Sequence, residues 1–420
     1  VHNDYTKRDS FNIKGFTVHN LTESSMGRVE ASNCTLNKVC GREGVILNQC
    51  SASNVSSSME NVVWNGWNGE QKNFPNIEGR EGVHISNLST ENVISSMGMV
   101  ILNNASAKSV KGKNDVRLKD AEVNNAEVTM GKLFSKESKV KFIAARNGVE
   151  LINSKVDRVV SSLGTFKAVN SKITDVEVKC NVTIKNCSGD QIKSIMGELI
   201  AISEKLGADR FNLLEARDGL NLTNISSEKV RSLMGAVDCV GGSFDLVELS
   251  KTSTLKQANI KHLEINVSKN DMLIINLTDS VVTSVAIKVT ERFSGSSIDS
   301  SSMSIPGAQI NLYVDGSSLS ANSNNSLVQG SLTKKFKGEI TRICKVGTIG
   351  SVNGVPAIVT SSGIQIQKES LSENSEKSKK RKTKCKVTFI GGKIIGNITH
   401  EAQVKVDSSK TTFEGEIISE

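Results

Sequence analysis

Apolar and polar positions along this chain alternate with period two in short bursts, and the bursts recur on a fixed beat. In Gly148-Val149-Glu150-Leu151-Ile152-Asn153-Ser154-Lys155-Val156-Asp157-Arg158-Val159, a glycine leads alternating apolar residues, an Asn-Ser pair and two further apolar positions. Gly164 to Val176 repeats the scheme with one extra residue after the glycine. The last apolar position of each half-unit falls at Val39, Val55, Ile77, Val93, Val110, Ala126, Ile143, Val159, Val176, Ile192, Leu214, Val230, Val247, Leu263 and Val285. These steps are 16 and 17 in alternation, with 22 replacing 17 three times. Insertions confined to one half of a unit are what surface loops on a fixed scaffold look like.

A longer beat is laid over this one. Ser-Ser-Met-Gly at 24–27 returns at 95–98, with degenerate copies around Met59, Met130, Leu163, Met196 and Met234 that step by 33 or 38. Sixteen or 17 residues are too few for a helix-turn-helix repeat, and period-two alternation rich in Val, Ile, Thr and Asn argues for strands. The spacing predicts three strands of three to five residues per coil, each paired in parallel with its copies above and below. The fold class is therefore all-β: a single-stranded parallel β-helix (a solenoid) of 16/17-residue coils in a 33-residue double repeat. A right-handed winding is expected, because left-handed hexapeptide helices favour 18-residue coils. Fifteen coils at ~4.8 Å give a rod of roughly 70 Å. Inward columns of Val, Leu and Ile are expected to fill it, together with Met26, Met97, Met130, Met196 and Met234.

Asn33, Asn87, Asn104, Asn153, Asn170, Asn186 and Asn224 occupy one coil position, just after the first strand. Asparagine tolerates left-handed backbone and bonds its stacked copies, so a structural turn ladder is the expectation. Several of these residues open Asn-x-Ser/Thr sequons, which the repeat itself explains. The solenoid is expected over 1–290. Residues 291–345 are rich in Ser and Gly and read as irregular coils or a cap. Strand-like pieces return at 336–340, 389–398 and 413–417, and a less regular C-terminal β segment is expected over 346–420, with a charged linker at 368–386.

The short coil, the Gly-x-Val-x-Ala/Leu beat and Gly391-Gly392-Lys393-Ile394-Ile395-Gly396-Asn397-Ile398 resemble bactofilins and related polymer-forming bacterial β-helix proteins. That resemblance of pattern covers residues 11–290 and, more loosely, 387–417. It implies a bacterial cytoskeletal scaffold whose β-helices join end to end without nucleotide. The present chain is longer and carries its own double-coil period and insertions.

Composition narrows the chemistry. The net charge of +8 over 420 residues is mild, aromatics are 4%, and no apolar run approaches the ~18 residues of a membrane span. Eight cysteines are too sparse for a disulfide scaffold. Cys34, Cys50 and Cys187 share one coil position, where a cysteine fills the serine slot of the turn or pairs with its stacked copy. The five histidines are dispersed without metal spacing, and there is no phosphate loop, nucleophile elbow or clustered carboxylate pair. The chain is thus expected to be non-enzymatic, with no cofactor, no metal site and no catalytic residues. A polysaccharide-active β-helix enzyme is the second alternative.

Two surface features remain as candidates. Arg42, Arg80, Lys113, Arg146, Lys179 and Arg217 step with the repeat and form a stripe about 10 Å from member to member, suited to an anionic polymer or membrane surface. Trp64 and Trp67 lie in or beside the first insertion, where exposed aromatics would contact a carbohydrate or partner; the Leu206–Arg210 insertion is the companion recognition loop. The functional expectation is a structural rod or self-assembling scaffold subunit that associates through its coil ends. The alternative is a surface adhesin or polysaccharide-binding stalk. The chain opens Val-His-Asn, which reads as a processed or truncated product, cytoplasmic or cell-surface in location.

Overall fold

The computed structural model describes residues 1–66, 75–268, 271–290 and 385–419, and the backbone of strands between 308 and 366. Residues Val1–Val267, Met272–Lys288 and Lys386–Glu420 form one compact unit, and Ser268–Asp271 with Val289–Cys385 form a second. The first is an all-β parallel solenoid of about 18 coils at roughly 17-residue spacing. At ~4.8 Å per coil its axis is roughly 85 Å long.

Each regular coil holds two strands rather than three. The coil around residue 150 contains a short arm, Gly148–Ile152, and a long arm, Lys155–Ser161. In the preceding coil Lys139–Ala145 pairs with Lys155–Ser161 at every position except Lys141, where the ladder skips. Val140, Ile143 and Ala145 are buried while Lys141 and Phe142 both face outward. Two successive outward residues reverse the alternation, so the long arm bends there and serves two walls of the coil. The expected three strands are therefore three arms, two of them continuous.

Two ladders run in parallel: short arms on short arms, long arms on long arms. The interior is lined by columns such as Val45, Val62, Val83, Val100, Val116, Leu133 and Val149, all fully buried. A parallel ladder needs covered inward faces, and the coil supplies this by wrapping its own apolar arms around one axis.

The five methionines expected in that core lie outside it. Met26, Met97, Met130, Met196 and Met234 are 43, 42, 49, 55 and 48% exposed. The correction follows from the turn. In Ser95-Ser96-Met97-Gly98 the buried Ser95 Oγ accepts the Gly98 N–H at 3.1 Å, closing a tight turn that leaves Ser96 and Met97 at its tip. The glycine is obligatory there, because a Cβ on Gly98 would collide with the Glu81 carbonyl oxygen of the coil below. The same Ser–Gly closure recurs at Ser24–Gly27, Ser194–Gly197 and Ser232–Gly235.

Strands near the C-terminus return to the same ladder. Met272–Asn276 pairs with Lys386–Ile390, and Val285–Ile287 with Ile398–His400, which in turn carries Ile417–Ser419. Residues 386–419 thus continue the solenoid begun at the N-terminus. The second unit contains a five-stranded antiparallel sheet ordered Ser317–Ser323, Ala308–Val314, Ile349–Val352, Val355–Thr360, Gly363–Ile366. Antiparallel pairing is a different construction from stacked coils. The expected strand at 336–340 and nearly all of the 368–386 linker lie outside the described residues.

Candidate functional site

The turn positions of the solenoid build three ladders. In the first, Asn33, Asn87, Asn104, Asn153, Asn170, Asn186 and Asn224 all have φ between 47° and 56°. Gln49, Asp120, Glu137, Gln257 and Asp279 take the same left-handed conformation in other coils. Side-chain amides link the rungs: Asn104 Nδ2 donates to Asn87 Oδ1 at 2.8 Å, Asn87 to Asn65 at 3.0 Å, and Asn186 to Asn170 at 3.3 Å. A shallow groove along this edge is lined by Asn87, Asn104, Asp120, Glu122, Glu137 and Lys139.

The residue after the left-handed position forms the second ladder where it is serine or cysteine; Leu88, Ala105, Ala121, Ile225 and Ala258 interrupt it. Ser154 Oγ donates to the Ile152 carbonyl at 2.9 Å and accepts the Ser138 N–H at 3.4 Å; Ser171 Oγ accepts the Ser154 N–H at 3.1 Å. Cysteine takes the same place elsewhere. Cys50 Sγ donates to the Asn48 carbonyl at 3.2 Å and accepts the Cys34 N–H at 3.4 Å. Cys34, Cys50 and Cys187 are buried free thiols. Burial pushes the Cys50 and Cys187 thiols up to about 11. These thiols substitute for serine in a structural hydrogen-bond column.

The third ladder combines the basic stripe with the displaced methionines. The Met26 N–H donates to the Arg8 carbonyl at 2.7 Å, Met59 to Arg42 at 2.9 Å, Met97 to Arg80 and Met130 to Lys113 at 2.8 Å each, and Leu163 to Arg146 at 2.9 Å. Met234 donates likewise to the Arg217 carbonyl at 2.8 Å. Cationic side chains therefore alternate along one corner with methionines, and with Leu163 in one coil. They touch: Arg42 Nη1 lies 3.0 Å from Met26 Sδ, and Arg80, Lys113 and Arg217 lie 3.4 Å from Met59, Met97 and Met234. Carboxylates follow several of the bases, and Arg217 pairs with Asp218 at 3.8 Å. The corner is consequently an amphipathic ridge with a weakened field rather than a purely basic stripe. Reading the methionines as core concealed the alternation, although their spacing from the arginines was visible.

Trp64 is a core residue and not the exposed ligand contact expected of it. It occupies an inward position of the strand Asn61–Asn65, is 1% exposed, and donates its Nε1–H to the Cys50 carbonyl at 3.2 Å. Trp67 lies outside the described residues. In the other proposed recognition loop, Leu206 is 68% exposed.

On the outer wall of the long arms, ion pairs step from coil to coil. Lys229 and Arg231 both reach Glu248, at 2.5 and 3.0 Å, and Arg158 meets Asp175 at 3.6 Å. Among the described residues no group of three or more His, Cys, Asp or Glu is placed to hold a metal ion, and no helix is long and apolar enough to cross a membrane.

Comparison of the chain with protein-family models, with curated proteins and with solved structures gives no match.

Proposed function

We propose that this chain is a non-enzymatic structural protein, a rigid β-solenoid rod that serves as a scaffold subunit and associates through its coil ends. The observation that carries this reading is where the side-chain chemistry is invested. Asparagine, serine, cysteine and charged residues are spent on contacts to the coil above or below, which is what stiffness along an axis requires. A solenoid is quasi-one-dimensional, so its terminal rungs present strand edges that pair with whatever continues the ladder. Ile417–Ser419 pairs with Ile398–His400 on one side, and Ile417 and Ile418 are 45 and 37% exposed.

The test is the paired substitution Ile417→Lys and Ile418→Lys in the full chain, followed by pelleting across a concentration series. Pelleting of the parent chain that the variant loses supports assembly through this rung. Equal pelleting of both, or of neither, contradicts it.

A further inference from the structure

One block on the outer face of the short-arm sheet differs from the rest of the surface. Across four successive coils the outward positions are Gly44-Ile46-Asn48, Asn61-Val63-Asn65, Gly82-His84-Ser86 and Met99-Ile101-Asn103. None is a permanent charge, in a chain whose residues are 23% charged. His84 is half-buried, and desolvation moves its pKa below the ordinary imidazole value, favouring the neutral form. Val63 is 37% exposed, with Ile46, His84 and Ile101 beside it in one aliphatic-centred column. Charges border the block: Arg28 and Glu30 one coil below, Asp115, Arg117 and Lys119 one coil above, and the exposed Glu43, Glu60 and Glu81 at the leading end of its strands. A neutral apolar centre with a charged rim is the composition of a contact surface.

We propose that this face binds a second copy of the chain, the two solenoids lying side by side and antiparallel. The twofold axis runs along the strands, midway between the Asn61–Asn65 and Gly82–Ser86 rungs.

The two faces are complementary under that operation, which keeps each column opposite itself and reverses the order of coils. Val63 then faces His84 of the other copy, and Ile46 faces Ile101. Gly44, beside which the Arg28 side chain lies with its Nε–H donated to the Glu43 carbonyl at 3.4 Å, faces Met99. Asn48 faces Asn103, and Asn65 faces Ser86, so amides meet groups that can bond them. At the rim Glu30 faces Arg117 and Arg28 faces Asp115, unlike pairs that each occur twice, against one like pair at the leading edge, Glu60 with Glu81, that also occurs twice. The parallel alternative, with the twofold along the solenoid axis, sets Arg117 against Arg117 and Glu30 against Glu30. That register gains Asp115 against Lys119, which only balances its two like contacts, whereas unlike contacts outnumber like ones two to one in the antiparallel register; charge therefore favours the antiparallel one.

Six rungs of ~4.8 Å and a width of roughly 15 Å give about 430 Å² per copy, against the ~800 Å² per partner of a standard interface. The expected complex is reversible, with Kd between about 10 μM and 1 mM. It does not rest on end-to-end assembly, because it uses a side wall.

The experiment is sedimentation velocity of the full chain carrying Ile417→Lys and Ile418→Lys, which removes assembly through that end, from about 5 μM to about 1 mM. The expected result is a concentration-dependent dimer that Ile101→Glu converts to monomer. Arg117→Glu or Glu30→Arg alone should weaken it about tenfold or more, and the two together should restore it to within about threefold. Both rim residues lie on the outer face, so their variants decide the matter even if Ile101→Glu alters the fold. A monomer throughout, a dimer that survives these substitutions, or a double reversal without recovery would each overturn the proposal.

Discussion

The Met97 N–H donates to the carbonyl oxygen of Arg80 in the coil below at 2.8 Å, while its side chain stands 42% exposed against the Lys113 ammonium at 3.4 Å. The backbone of the motif is fixed and its side chain is at the surface. Met97→Gln and Met234→Gln are therefore expected to shift stability by no more than about 0.5 kcal/mol, the range of ordinary surface changes. Urea midpoints measure this. A loss of several kcal/mol would mean that these side chains are core after all.

Ser154 is expected to behave differently. It is buried, and its Oγ is the acceptor for the Ser138 N–H. Ser154→Ala orphans that donor in the interior, at a cost of about 1–3 kcal/mol. Ser154→Cys should cost clearly less, because Cys50 already accepts the Cys34 N–H in the same slot at 3.4 Å. Equal losses for the two variants in denaturant melts would sink the idea of an interchangeable column.

Trp64→Ala removes a tryptophan, the largest buried side chain among the described residues, from a filled coil and also vacates the bond to Cys50. A loss of about 3–5 kcal/mol is expected. Chemical denaturation measures it; a nearly neutral result would place the indole outside the core.

The thiols give a pH dependence. Burial holds the protonated form, raising Cys50 and Cys187 from 9.0 to about 11. The unfolded chain releases those protons first, so the contribution is complete below about pH 9 and is lost as pH rises to about 11. Thermal midpoints of Cys50→Ser and Cys187→Ser should fall less steeply across that interval than the parent's. Identical slopes would exclude these thiols as the cause.

Much of the fold was legible because every coil restates the same rule. Val149 and Leu151 alternate with Glu150 and Ile152, and the copies above and below agree, so the period emerges from repetition rather than from any one segment. What escaped were places where alternation stops. The Ser-Ser-Met-Gly turn puts two residues outward in succession, so counting by twos assigned Met97 to the wrong side. Lys141 and Phe142 do the same inside a strand, which is why two walls were read as separate strands. Trp64 was drawn toward the neighbouring insertion although it aligns with Leu47 and Ile85 in the ladder. The pairing of Met272–Asn276 with Lys386–Ile390 had no local signature at all, since a parallel partner separated by that length of chain leaves no mark on either strand. The neutral face became visible only once the coils were aligned rung on rung.

The most direct measurement is electron microscopy of the purified chain across a concentration series, without ligand or nucleotide. Rod-like bodies with a solenoid axis of roughly 85 Å, from the strand spacing, are expected to join lengthwise into filaments as concentration rises. Rods that stay separate at every concentration, or particles with no such axis, would contradict that expectation.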